Sequence, residues 1–99
     1  MYTVIRRYEG VSDTAEVVKR ATEEFGPMLA ERPGFQGYWV VDAGADVIAS
    51  ISVFETQAQA EDSSVAAAGW VSERLAEFAP NAPQVTAGAT TGAAAPAAA

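Results

Sequence analysis

Hydrophobic and polar positions along this chain change period several times, and each change marks an element. Tyr2–Tyr8, YTVIRRY, is rich in β-branched and aromatic residues and stops at Glu9-Gly10, which predicts a first strand. Val17, Val18, Ala21, Phe25, Met28 and Leu29 then recur at helical spacing, with Glu16, Lys19, Arg20, Glu23 and Glu24 largely opposite them. Asp13 with Glu16 three residues on resembles a capping box, with Ser12 as the alternative cap, so a helix is expected over 13–30. Pro27 cannot donate to the Glu23 carbonyl, and with Gly26 before it a kink or a redirected last turn is expected. Pro33-Gly34 closes the segment.

Two apolar runs follow, Phe35–Asp42 and Val47–Phe54, and their short Gly-containing connection makes them an antiparallel hairpin. A second helix is expected from Gln57 to about Phe78, with an apolar stripe of Ala67, Ala68, Val71, Leu75 and Phe78. Gly69 inside it costs about 1 kcal/mol relative to Ala, which is tolerable if another backbone approaches there. Pro80-Asn81-Ala82-Pro83 ends this helix, and Gln84–Thr90 reads as a weak last strand. Residues 91–99, TGAAAPAAA, hold nothing large to bury, so one domain over 1–90 followed by a flexible tail is expected. The order β-α-β-β-α-β is the split βαβ, ferredoxin-like α+β arrangement, a four-stranded antiparallel sheet with two helices on one face.

That architecture raises a difficulty with the hairpin. Strand side chains alternate, so Phe35, Gly37, Trp39 and Val41 share one face, while Gln36, Tyr38, Val40 and Asp42 share the other. Likewise Val47, Ala49, Ile51 and Val53 oppose Ile48, Ser50, Ser52 and Phe54. Helices cover one face only, and a bare sheet carrying Tyr38 and Val40, or else Trp39 and Val41, together with Ile48 and Phe54, exceeds the apolar patch that monomers tolerate. Burying about 600 Å² of such surface is worth on the order of 15 kcal/mol before association costs. A homodimer with two sheets packed face to face is therefore expected.

Composition narrows the chemistry. A chain of 99 residues buries only roughly 60–65% of its unfolded surface, so burial shared with a partner helps. Neither cysteine nor histidine is present, which excludes disulfides, thiolate nucleophiles, Cys/His zinc sites and a histidine base, and leaves carboxylates, Tyr, Lys19 or water for acid–base work. Six basic and thirteen acidic residues give a net charge of −7, a field that repels nucleic acid and anionic membrane, so neither is an expected partner. Arg6 and Arg7 interrupt the first apolar run, and no stretch reaches the roughly 20 apolar residues of a membrane span, so the expected location is cytoplasmic. Glu23-Glu24 and Glu61-Asp62 read as solvated helix faces, with no converging metal ligands, and neither phosphate-binding glycine signature occurs.

Candidate functional side chains each carry a structural alternative. Trp70 lies about 100° from Val71, on the flank of the stripe, where a large ring is a core or interface residue first and a ligand contact second. Tyr38 and Trp39 are adjacent and point to opposite faces, one into the core and one towards a partner. A general-acid role for Tyr38 needs a local reason for its pKa to fall from near 10. Of Arg6 and Arg7 at most one enters an inter-sheet interior, where it needs a carboxylate such as Asp42 or Glu55, and a solvated or paired arginine is the expectation. Ser50 and Ser52 share a face and offer hydrogen bonds but have no base beside them. Asn81, between prolines, reads as a turn residue or a ligand contact.

The stretches RPGFQGYWVVDAG, VIASISVFET, AAGWVSERL and PNAPQVTAG together resemble the small dimeric α+β-barrel proteins of the antibiotic biosynthesis monooxygenase-like group, over residues 2–88. The resemblance implies a substrate cleft between sheet and helices, lined by aromatics with Asn, Tyr, Trp and Arg as polar contacts. It implies cofactor-free oxygenation of a hydrophobic or aromatic small molecule, with Tyr38, Trp70 and Arg74 as catalytic candidates and Trp39, Ser50 and Asn81 as ligand-binding candidates. The haem-degrading branch of the group uses a histidine that this chain lacks. A non-catalytic or stress-associated scaffold is the alternative, and it calls for an interior filled by protein side chains.

Overall fold

The structure, a computed structural model, describes residues 1–95 and 97. Part of the expected tail, Pro96, Ala98 and Ala99, lies outside the described residues. The elements are β1 (Tyr2–Tyr8), α1 (Thr14–Arg20), a π-helical turn (Ala21–Phe25), α2 (Gly26–Ala30), β2 (Phe35–Gly44), β3 (Val47–Phe54), α3 (Gln57–Arg74) and β4 (Gln84–Ala89). The sheet has the order β2-β3-β1-β4 with every pair antiparallel, which is the expected ferredoxin-like arrangement.

Local chemistry sets the boundaries. Asp13 caps α1, its carboxylate accepting from the Glu16 N–H at 3.3 Å. The expected kink takes the form of the π turn, in which the Gly26 N–H donates to the Ala21 carbonyl, and Pro27 falls in the first turn of α2, where its missing N–H costs little. Thr56 and Gln59 form a complete capping box at the start of α3. Gly34 stands at φ +77°, and a β-carbon there would collide with the Gln59 amide. Between β2 and β3, Ala45 and Asp46 both take left-handed φ values of 52° and 61°, matching the mirror-image turn whose twist suits a two-residue hairpin loop.

Two expectations about the second helix are corrected. It ends at Arg74 rather than near Phe78, because Leu75 leaves helical geometry and its carbonyl takes the N–H groups of both Phe78 and Ala79. The Phe78 carbonyl is thereby free to accept from the Ser12 N–H at 2.8 Å, tying this turn to the start of α1. Gly69 has nothing within 4 Å of where its β-carbon would stand, so close backbone approach is not its reason.

Both helical segments pack on one face of the sheet. Val4, Phe25, Leu29, Phe54, Ala60 and Ala67 form one part of the core, and Val11, Val17, Ile48, Leu75 and Ala79 the other, with Trp70 packed against both. Ile48 and Phe54 therefore belong to the helix-covered face with Tyr38 and Val40, not to the bare one. On the uncovered face Trp39, Val41 and Ile5 are 55%, 43% and 39% exposed beside the half-buried Ile51 and Val53. The face is still a continuous apolar surface, and the Trp39 ring lies over Gly37 within it. Among the described residues no helix is long and apolar enough to cross a membrane.

Candidate functional site

Between sheet and helices the side chains leave an inner chamber of only about 30 Å³, room for water but not for a ring system. Its wall carries an aromatic trio. Phe25 meets Tyr38 edge-on at 5.5 Å and 75°, and lies tilted against Trp70 at 5.0 Å and 30°. The π turn delivers Phe25, β2 delivers Tyr38 and α3 delivers Trp70. Ser50 on β3 and Arg6 and Tyr8 on β1 add polar groups to the same wall.

A second space of about 580 Å³ opens between α3, the 80–83 loop and strands β1 and β4. Arg6, Tyr8, Val71 and Ala79 border both it and the inner chamber, so these residues form the partition between the two. Ser64, Ser72 and Asn81 supply further polar atoms, and Ala68, Ala76, Pro80, Pro83 and Val85 make the remainder apolar. A shallower cleft of about 400 Å³ lies on the far side against Tyr38, Val40 and Phe35.

Arg6 sets the electrostatics. Strand alternation places it inward with Val4, and it is only 5% exposed. Its Nη2 donates to Ser64 Oγ at 2.6 Å, and the Ser64 hydroxyl donates in turn to the Ala60 carbonyl at 3.1 Å. No carboxylate pairs with Arg6 among the described residues, whereas Arg7, outside, pairs with Glu9 at 3.1 Å. The expectation of a solvated or carboxylate-paired arginine is thus overturned for Arg6. Burial disfavours its charged form and lowers its pKa, partly countered by Tyr8 and Tyr38.

Burial pushes Tyr38 up to about 12, with Tyr8 adding to the rise, and Arg6 and the nearby Ser50 hydroxyl opposing it. Tyr8 is likewise raised by burial and lowered in part by Arg6. Burial outweighs what Arg6 and Ser50 contribute, so the Tyr38 phenol stays protonated at neutral pH as a hydrogen-bond donor and is a poor proton donor.

The remaining candidates scatter. Arg74 lies outside both spaces, holding Glu24 through Nε at 2.9 Å and Nη2 at 3.2 Å in an exposed fork. Glu24 is held below the usual carboxylate range chiefly by Arg74, with smaller help from Arg20 and Trp70. Trp39 stands on the opposite face of the sheet, away from the chamber. Asn81 donates to the Glu9 carbonyl at 3.3 Å while bordering the outer cleft. Ser52 is fully buried with its hydroxyl unpartnered, and it borders neither space. Tyr8 on the partition and Ser64 on the outer cleft escaped the sequence reading. Alternation with Val4 and Arg6 was the available signal for Tyr8, but Ser64 gave none. Among the described residues no three potential metal ligands cluster.

No family model matches the sequence, and no curated protein does. Solved structures match over nearly the whole chain. A monooxygenase of Streptomyces coelicolor with nanaomycin D bound superposes with a TM-score of 0.76 at 16% identity, covering 97% of this chain and 92% of that one. SnoaB, a cofactor-independent oxygenase from Streptomyces nogalater, gives 0.72 at 14%, covering 93% and 94%. MhuD, with two manganese protoporphyrin IX molecules bound per active site, gives 0.72 at 12%, covering 97% and 100%. The chain has the fold of an antibiotic biosynthesis monooxygenase-like domain, and at these identities the likeness speaks for fold alone.

Proposed function

We propose that this chain is a monooxygenase-like small-molecule-binding protein that works as a homodimer and takes a hydrophobic, aromatic ligand between sheet and helices. The observation that carries the reading is the cleft of about 580 Å³, partly polar, which meets an aromatic-walled chamber at Arg6 and Tyr8. That volume lies within the roughly 300–1,000 Å³ of ordinary ligand pockets. Structures of the same fold hold nanaomycin D and a metalloporphyrin, which supports a small molecule here. The uncovered face around Trp39, Val41 and Ile5 supports the dimer. A cytoplasmic location belongs to the same reading and is supported by the cysteine-free, acidic composition.

As an oxygenase, the protein would act on a quinol or anthrone-type substrate without flavin or metal. The substrate gives up a proton to water, its carbanion passes an electron to O₂, the carbon radical and superoxide join as a peroxide anion that takes a proton back from water, and loss of water across the C–H and O–O bonds leaves the quinone carbonyl. The Tyr38 O–H, with Ser50 beside it on the inner chamber's wall, would donate a hydrogen bond to the anion only where the anion's edge passes the partition at Arg6 and Tyr8. A polycyclic substrate is far larger than the inner chamber, so its ring system belongs in the outer cleft with one edge at the partition. Oxygen uptake with quinol and anthrone-type substrates, in the native protein and in Trp70→Phe, tests this. Absence of turnover in both removes the oxygenase chemistry.

A second reading, a non-catalytic binding or stress-associated scaffold, draws support from the inner chamber. At about 30 Å³ it is filled by Phe25, Tyr38 and Trp70, as a packed interior would be. It predicts ligand binding, or none, without oxygen uptake.

A further inference from the structure

We propose that the outer cleft selects an organic anion, an apolar body bearing a carboxylate or phenolate head, with Arg6 as the residue that neutralises the head. The inference rests on the small-molecule reading above and sharpens it to a charge class.

The argument begins with a cost. A guanidinium withdrawn from water is expensive unless a counter-charge accompanies it, and removing the counter-charge from a buried pair is strongly destabilising. Arg6 is largely buried, at 5% exposure, with its remaining guanidinium nitrogens keeping some access to solvent, yet its hydrogen bond runs to a neutral hydroxyl, and no carboxylate pairs with it among the described residues. Ser64 cannot supply the missing charge. It spends its own proton on the Ala60 carbonyl and presents only lone pairs to Arg6, which fixes the guanidinium without neutralising it. Five N–H donors on a planar fork match an oxyanion better than any other ligand group.

The surroundings fit the rest of such a molecule. Arg6 lies on the wall of a cleft whose other lining includes Ala68, Val71, Ala76, Pro80, Pro83 and Val85, an apolar bed for a hydrocarbon body. Tyr8, raised by burial and so protonated, offers a second donor beside the guanidinium. The chain's net charge of −7 opposes anions at long range, but that field is screened within roughly 8 Å at physiological salt, so the desolvated cation decides at the site.

Calorimetric titration of the intact protein with 2-naphthoate, its neutral methyl ester and 2,4-dinitrophenolate tests the inference at neutral pH, and inorganic phosphate tests for bare anion capture. The expected result is that 2-naphthoate binds at least about tenfold more tightly than the ester, and that Arg6→Gln removes the difference. The phenolate arm decides which head is preferred, and phosphate alone is expected to bind at least about tenfold more weakly than 2-naphthoate because it leaves the apolar bed empty. In the absence of ligand, Arg6→Met is expected to keep or raise the melting temperature, since it removes an unneutralised buried charge, whereas a purely structural arginine would be missed. An ester that binds as tightly as the acid overturns the inference while leaving small-molecule binding intact, and a preference that survives Arg6→Gln overturns it equally. Silence from every probe overturns both. Should Arg6→Gln not fold, the comparison of acid with ester in the native protein still decides.

Discussion

The Trp39 indole lies over Gly37, two residues back on the same strand and face, so that a β-carbon at position 37 would meet the far edge of the ring at Cη2 and Cζ3. Glycine at this point lets a large exposed ring lie down on the sheet, which keeps the uncovered face low enough for another sheet to approach. Gly37→Ala is therefore expected to lift the ring and weaken the proposed self-association by about tenfold, roughly 1.4 kcal/mol, while the chain stays folded. Trp39→Asp is expected to give monomers, since it places a charge at the centre of the apolar face. Sedimentation velocity over a dilution series reads both, and a Trp39→Asp protein that remains dimeric places the interface elsewhere.

Gly69 sits inside α3 facing open space. Gly69→Ala is expected to stabilise the protein by about 0.5–1 kcal/mol by restoring helix propensity, with no effect on ligand binding. Urea denaturation measures the gain, and a loss of stability would reveal a contact made only in an assembly.

Tyr38 links stability to alkaline pH. Its folded-state pKa of about 12 stands above the ordinary value of 10, so the unfolded chain loses the phenolic proton first. The stabilisation is complete below about pH 10 and is lost as pH climbs through about 12, with Tyr8 acting in the same direction. Tyr38→Phe is expected to flatten the fall in unfolding free energy above about pH 10, measured by urea titration at several pH values. An unchanged slope would mean that the phenol is solvated in solution.

Arg74 forms an exposed fork with Glu24 and borders neither ligand space. Arg74→Ala is expected to leave binding of 2-naphthoate unchanged and to alter stability little, as exposed ion pairs generally do. A clear loss of binding would require the helix end to close over the cleft.

Much of the architecture was legible because it depends on local periodicity. β1, the hairpin and the start of both helical segments follow from alternation, capping side chains and turn residues at named positions. The end of α3 was not legible, because the hydrogen bond from Ser12 to the Phe78 carbonyl joins segments 66 residues apart in number (78 − 12) and leaves no pattern in either. Facial assignment failed in part for the same reason. Alternation says that Ile48 and Phe54 share a side, but not which side the helices choose. At the site, type and position suggested Tyr38 and Trp70, whereas the unpaired state of Arg6 is a fact about what fails to come near it, and no stretch of sequence records that.

The wide turn at Ala21–Phe25 also governs phase along the first helical arm. Val17, Ala21, Phe25 and Leu29 are all buried at a constant spacing of four, yet at 100° per residue an unbroken α-helix would carry each successive member about 40° around the axis. The looser winding unwinds part of that drift and keeps the row aligned with the sheet. Dropping one residue there would hardly shorten the arm, but it would turn everything beyond it, taking Phe25 from between Tyr38 and Trp70.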